Sequence, residues 1–110
     1  MNNQLQNVKD LLYLSPETLR MIGDTQGERY EQGYKRALVD ILEDLNAMDE
    51  NGTLAEFRTI VNMWMTYIDG IISANPDGVS DRTYGYKAGL NRALWAIQQS
   101  ETPEADWSSV

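Results

Sequence analysis

The sequence contains no cysteine and no histidine, and only three of its 110 residues are proline. The absence of cysteine excludes disulfides, thiolate catalysis and zinc or iron–sulfur sites held by cysteine. The absence of histidine removes the commonest general base and the side chain that normally titrates near neutral pH. Most familiar catalytic constellations are therefore missing, and we expect a protein that is not an enzyme and holds no cofactor.

Basic residues are also few. Nine Lys and Arg stand against seventeen Asp and Glu, which gives a formal net charge of −8 at pH 7. This balance disfavours direct binding of nucleic acid, whose phosphates are usually neutralised by clustered Lys and Arg. It favours a basic protein surface as the partner, although nine interspersed bases argue against a dense DNA mimic.

Long hydrophobic runs are absent as well. The most apolar stretch, residues 60–72, is interrupted by Asn62, Thr66, Asp69 and Gly70. The N-terminus lacks the basic and apolar regions of a secretory signal. We therefore expect a cytoplasmic protein with no membrane contact. Its length predicts one domain, residues 1–100, followed by an acidic, mobile tail at residues 101–110.

Apolar residues recur every three or four positions along the chain, and no stretch alternates as a strand does. We predict an all-α, compact bundle of four main helices, at about residues 5–12, 24–48, 53–74 and 80–99, with a short extra helix near residue 16 that ends before Gly23. Polar residues that can accept a backbone N–H are expected to cap the helix starts: Ser15 before Pro16, Asp24 or Thr25, Thr53 with Glu56 in a capping box, and Ser80 or Asp81.

An internal repeat relates residues 30–41 to residues 86–97, with six of twelve positions identical. The shared pattern is Tyr-x-x-Gly-x-x-Arg-Ala-Leu-x-x-Ile. Glycine inside a helix costs roughly 0.5–1 kcal/mol relative to alanine, so a glycine at matching positions needs a reason. Unless the similarity is chance, the two helices should cross through their small residues, within one chain or across a homodimer: Gly33, Ala37, Gly89 and Ala93.

Acidic residues are concentrated between residues 40 and 56, where there is no basic residue. The group comprises Asp40, Glu43, Asp44, Asp49, Glu50 and Glu56, and we call it the acidic patch. Two of its members lie near the C-terminal end of a predicted helix, where the helix dipole disfavours negative charge. The functional hypothesis is that the acidic patch binds a basic partner, and the alternative is that it only adds solubility.

Two further functions fit parts of the sequence. Arginine, lysine and tyrosine side chains interleave on the second and fourth main helices and could hold a small phosphorylated ligand in a homo-oligomer: Tyr30, Tyr34, Arg36, Tyr86, Lys87 and Arg92. Ordinary helix surfaces with long side-chain stems have the same composition. The wide apolar third helix, with Met63, Trp64 and Met65, would suit a virion or assembly component, although core burial explains it more simply.

Two patterns resemble metal sites. Glu28-x-x-Glu31 and Asp40-x-x-Glu43 resemble the paired carboxylates of the all-helical nucleotide pyrophosphohydrolases, a resemblance that implies magnesium-dependent hydrolysis. That family takes its pairs from two helices and orders the second as Glu-x-x-Asp, whereas here one helix carries both and the order is reversed. Residues 49–54 resemble the middle of an EF-hand loop, but in that register Ala47 and Arg58 would occupy the terminal ligand positions. We therefore predict no metal site.

The sequence thus favours a non-enzymatic protein-interaction module. We expect a small acidic inhibitor or adaptor of the kind that phages and mobile elements encode, with the acidic patch docking on a basic surface such as that of a nucleic-acid-binding protein. The residues identify no family.

Overall fold

The computed structural model describes residues 3–48 and 50–101. Over these residues it contains no strand and five α-helices, which are α1 (Asn3–Leu12), α2 (Pro16–Gln26), α3 (Glu28–Ala47), α4 (Leu54–Ala74) and α5 (Asp81–Glu101). A single 3₁₀ turn, Pro76–Gly78, precedes α5. The predicted all-α bundle is confirmed, and α2 is the extra helix. Of the predicted tail, Glu101 belongs to α5, and residues 102–110 lie outside the described part of the chain.

Three helix starts carry the predicted side-chain caps. The hydroxyl oxygen of Ser15 accepts the backbone N–H of Thr18 at 3.2 Å, and Thr53 accepts that of Glu56 at 3.1 Å. Ser80 does the same for Thr83 at 3.2 Å. Each hydroxyl satisfies one of the backbone donors that a helix N-terminus leaves without an intrahelical partner.

The boundary between α2 and α3 differs from the prediction. Helix α2 continues through Gly23, and Asp24 and Thr25 lie inside it instead of capping α3. The Thr25 hydroxyl donates to the carbonyl oxygen of Met21 at 2.9 Å, which is a bond within the helix. The chain turns at Gly27, whose φ of 101° is open to glycine at little cost and strained for other residues. The glycine that ends the helix is therefore Gly27, and Gly23 is an ordinary helical residue.

The core lies where α1, α3, α4 and α5 meet, and α2 contributes no buried residue to it. Its largest fully buried side chains come from all four helices: Leu5, Val8, Leu12, Ile41, Leu45, Phe57, Val61, Leu90 and Ile97. No polar or charged residue of the described chain is buried. The helix pairing therefore depends on apolar burial and close packing, with polar contacts at the edges.

Helices α3 and α5 run in the same direction. Tyr30 packs against Gly85, and Tyr34, one turn later, packs against Gly89, one turn later on α5. Helix α4 runs the opposite way, because Arg58 pairs with Glu101 at one of its ends and Asp69 pairs with Lys87 nearer the other. A parallel pair of helices needs such a return connection, and α4 supplies it.

Among the residues that the structure describes, no helix combines the length and the apolar character that crossing a membrane requires.

Candidate functional site

The contact between α3 and α5 is made by glycines against backbone. A methyl group built on Gly33 would lie 2.8 Å from the carbonyl carbon of Arg82 and 2.9 Å from the backbone nitrogen of Tyr86. A methyl group on Gly85 would lie 2.7 Å from the carbonyl carbon of Tyr30. The two glycines are thus reciprocal, since each packs on the carbonyl of the residue three positions before the other. No larger side chain fits at either position without moving the backbone.

One turn further along, Gly89 repeats the arrangement. A methyl group there would lie 2.6 Å from Cβ of Ala37 and 2.8 Å from the carbonyl oxygen of Tyr34. The structure therefore places Gly33, Ala37 and Gly89 in one contact within a single chain. Ala93, one turn after Gly89, is fully buried.

The register of this contact differs from that of the repeat found in the sequence. The repeat has a separation of 56 residues and matches Gly33 with Gly89. The contact matches Gly33 with Gly85, which is a separation of 52 residues, one helical turn less. At that separation the pattern Gly-Tyr-Lys-x-x-Leu-x-x-x-Leu occurs at residues 33–42 and again at residues 85–94. This second pattern is the signal that could have identified Gly85, which sequence reasoning missed.

Asp40 of the acidic patch is occupied by neighbouring side chains. Its Oδ2 accepts a hydrogen bond of 2.7 Å from the hydroxyl of Tyr86, and its Oδ1 lies 3.1 Å from Nε of Arg36. Only 14% of the Asp40 side chain is exposed. Asp40 therefore connects α3 to α5 and is poorly placed to meet a partner.

Asp44, one turn after Asp40, has a similar role toward α4. Its Oδ2 accepts a hydrogen bond of 2.7 Å from the indole Nε1 of Trp64. The rings of Trp64 and Tyr86 in turn contact each other, with centroids 6.1 Å apart and planes inclined by 52°. Two carboxylates on α3 thus hold one aromatic ring from each of the other long helices.

Tyr86 keeps its proton well into the alkaline range. Burial raises the pKa of its hydroxyl above the ordinary value of 10.0, because burial disfavours the charged phenolate. The hydrogen bond to Asp40 and the negative charge of that carboxylate raise the pKa further. The contact therefore consists of a neutral phenol that donates to an ionised carboxylate.

Three further members of the acidic patch lie at the surface. Glu43, Glu50 and Glu56 are exposed, and Asp49 lies outside the described residues. Glu56 touches the Thr53 hydroxyl at 3.3 Å in the cap of α4. The acidic patch thus divides into two structural carboxylates and an exposed group that is available for contact.

An open apolar cleft lies between α3 and α4. It has a volume of about 490 Å³ and is lined by Asp44, Ile60, Met63, Trp64 and Tyr67. We call it the α3–α4 cleft. Its apolar side chains are spaced by three or four residues, so they share one face of α4.

Two of these apolar side chains are largely exposed, Met63 at 67% and Tyr67 at 62%. The sequence favoured core burial for Met63, Trp64 and Met65. Trp64 and Met65 do pack against the core, but Met63 is exposed, so the prediction is wrong for Met63. The signal was a second apolar stripe on α4. One stripe, with Phe57 and Val61, is buried, whereas the second has Met63, Tyr67 and Ile71 exposed and Ile60 and Trp64 partly buried.

The six residues of the ligand hypothesis do not form one site. Arg36 and Tyr86 meet at Asp40, whereas Tyr30 and Lys87 line a different cleft. Lys87 also pairs with Asp69 at 2.7 Å. The fold distributes these side chains among several contacts instead of converging them on one ligand.

Arg92, another of the six, has a structural position. Its Nη2 donates to the carbonyl oxygen of Leu11 at 3.1 Å, at the end of α1, and its guanidinium lies 4.5 Å from the centre of the Trp95 ring. Burial raises the pKa of nearby Tyr34, and the positive charge of Arg92 partly offsets that rise. Arg92 therefore fastens α1 to α5.

The paired carboxylates that resemble a magnesium site are also separated. Across residues 3–48 and 50–101, no three acidic side chains lie close enough to share a metal ion. Asp40, the first member of the second pair, is already engaged by Tyr86 and Arg36. The EF-hand-like loop contains Asp49, so it falls partly outside the described residues.

Comparison with family models, curated proteins and solved structures finds no match for this chain.

Proposed function

We propose that the protein is a non-enzymatic interaction module, an inhibitor or adaptor, that binds a basic protein partner through the α3–α4 cleft and the exposed acids beside it. The observation that carries this proposal is the cleft itself, an exposed apolar face with Asp44 in its lining. Contiguous exposed apolar surface with a polar rim is typical of protein-binding sites. Such a function needs no cysteine or histidine, which this chain lacks.

The acids close in sequence to the cleft lining support a basic partner. Glu43 lies one residue before Asp44 on α3, and Glu56 lies one turn before Ile60 on α4. A partner with lysine and arginine around an apolar centre would be attracted by these acids during the encounter and would bury the apolar side chains on docking. Phage or mobile-element origin belongs to the same proposal and is supported by the small, acidic, cysteine- and histidine-free chain, and a cytoplasmic location is supported by the absence of cysteine.

Charge reversal tests the proposal without disturbing the fold. Glu43→Lys/Glu50→Lys changes two exposed acids and leaves Asp40 and Asp44 in their helix contacts. Immobilised protein is used to capture partners from lysate of its native cell, and quantitative mass spectrometry compares the variants. We expect the double variant to lose the basic protein that the wild type enriches.

The matched control is Asp24→Lys/Asp77→Lys, which makes the same change in net charge at exposed positions outside the acidic patch and the cleft lining. This control should capture the partner as the wild type does. Equal capture by all three proteins would contradict the proposal, and loss with both double variants would indicate attraction by net charge alone.

A further inference from the structure

We infer that the occupant of the α3–α4 cleft is a single basic amphipathic helix of the partner, laid along α4. This inference rests on the proposed function and specifies the shape of the segment that binds. Its support comes from the form of the apolar face, from the charges at its edges and from the orientation of the only basic residue on α4.

The apolar face has the form of a helix-packing surface. From Ile60 to Ile71 it extends for eleven residues, which is about 16 Å or three turns. Ile71, at its far end, is 41% exposed and continues the row one turn after Tyr67. A row of side chains at three- and four-residue spacing is the ridge that a second helix receives between its own ridges. An extended peptide would find no free strand edge, because the described chain has no strand.

The floor of the cleft is fixed before any partner arrives. The Trp64 indole is held by its hydrogen bond to Asp44 and by its contact with Tyr86. Met63 and Tyr67 project beside it into solvent. An aromatic floor held in place between exposed side chains suits apolar anchors at positions i, i+3 or i+4, and i+7 of a binding helix.

Charge argues for a basic partner over a second copy of this chain. The only basic residue of α4 is Arg58, which lies two residues before Ile60 and therefore on the opposite side of the helix, where it pairs with Glu101. Two copies joined through their α4 faces would bring together two surfaces bordered by Asp44 and Glu56, and neither α4 helix carries a base on that face. Lysine and arginine on the edges of a foreign helix would neutralise the same acids.

The experiment measures binding of designed peptides by fluorescence anisotropy. The first peptide is a basic amphipathic helix of about 20 residues, long enough to be partly helical in water, with leucine at i, i+3, i+4, i+7 and i+11 and lysine or arginine elsewhere. The second has the same composition with the leucines scrambled, so that it has the same charge and no stripe. We expect the first peptide to bind the wild-type protein at least about tenfold more tightly than the second.

Two protein variants locate the binding. Met63→Lys places a charge in the α3–α4 cleft, and Met21→Lys makes the same change on α2 at a methionine of equal exposure, 68% against 67%. Met63→Lys should weaken binding of the first peptide at least about tenfold, and Met21→Lys should leave it within about twofold. Circular dichroism and the thermal midpoint confirm that both variants are folded.

The possible outcomes separate this inference from the proposed function. Equal binding of both peptides, lost with Glu43→Lys/Glu50→Lys, overturns the helix and leaves a basic partner in place. Binding of neither peptide also overturns the helix, and the capture experiment then decides the proposed function separately. A wild-type dimer in sedimentation equilibrium that Met63→Lys dissociates assigns the face to a second copy and overturns the inference.

Discussion

Helices α3 and α5 meet through glycine and alanine, whereas the outer face of α4 presents isoleucine, methionine and tyrosine to solvent. At the first contact Gly33 and Gly85 each leave room only for the opposing backbone. On the outer face of α4, Met63 and Tyr67 are more than half exposed and line an open cleft. Small residues thus form the packed contact between α3 and α5, and large residues form the exposed face of α4.

This difference in packing implies that the two surfaces tolerate amino-acid substitutions to very different degrees. Backbone packed on backbone cannot yield, so an added methyl group strains both helices. Exposed side chains have room to take other rotamers, so substitutions there should alter binding far more than folding. The following predictions test this contrast, from the largest expected effect to the smallest.

Gly33→Ala should destabilise the protein by about 2–3 kcal/mol, because the new methyl group meets the Arg82 carbonyl and the backbone of Tyr86. Gly70→Ala is the matched control on α4, where no atom lies within 4 Å of the added methyl group. It should stabilise the protein by about 0.5–1 kcal/mol through helix propensity. Urea denaturation followed by circular dichroism measures both, and changes of the same sign would contradict the close contact.

Gly89→Ala should cost about 1–2 kcal/mol, because its methyl group meets that of Ala37. Adding Ala37→Gly should recover part of this loss, with an interaction energy of about 0.5–3 kcal/mol between the two sites. In the control pair, Gly89→Ala with the exposed Ala55→Gly, the two effects should simply add. Additivity in both pairs would show that residues 37 and 89 do not touch.

Tyr86→Phe should cost about 1 kcal/mol at neutral pH through loss of the hydrogen bond to Asp40. Its pH dependence is more specific. Because the pKa of Tyr86 is raised in the folded protein, its contribution is fully present below the ordinary phenol value of 10.0 and is lost as the pH rises further. Tyr34, whose pKa is also raised, adds to the same trend.

We therefore expect the free energy of unfolding to fall above about pH 10, and to fall less steeply in Tyr86→Phe. Urea titrations at several alkaline pH values measure the slope. Tyr13→Phe, which alters an exposed tyrosine, should keep the wild-type slope. If Tyr86→Phe also kept that slope, the hydroxyl of Tyr86 would not be the source of the alkaline loss of stability.

Met63→Ser should change stability by less than about 0.5 kcal/mol, because the side chain is mostly exposed. Val61→Thr, two residues earlier, keeps the shape of the side chain but places a hydroxyl in the core and should cost about 1–3 kcal/mol. Thermal and urea denaturation compare the two. A large loss with Met63→Ser would mean that the α4 face supports the fold, and would remove the distinction between the two surfaces.

Local patterns predicted the architecture well. The helix class follows from apolar spacing, and the caps at Ser15, Thr53 and Ser80 follow from the need of each helix start for an acceptor. The predicted boundary between α2 and α3 is wrong because Gly23 and Gly27 are both glycines that could end a helix, and the sequence does not distinguish them. Only the backbone conformation of Gly27, with its positive φ, distinguishes them.

The candidate site was less accessible to sequence reasoning. The acidic patch was found by counting charges, but counting could not show that Asp40 and Asp44 are engaged by aromatic side chains more than a dozen residues away. The sequence favoured core burial for the exposed stripe of α4. The apolar pattern of a helix shows which of its sides are apolar, but it does not show whether another helix of the same chain covers each side. Both facts depend on tertiary arrangement.

The parallel course of α3 and α5 has a consequence for how the chain is made. Gly85 follows its contact, Tyr30, by 55 residues, so this close backbone contact joins segments far apart in sequence. Closing a loop of that length costs on the order of 3–4 kcal/mol in chain entropy before the contact forms. During synthesis, α3 and α4 leave the ribosome well before α5 and cannot complete the core. The apolar residues of α3 and α4 that pack against α5 can therefore be covered only once α5 has emerged.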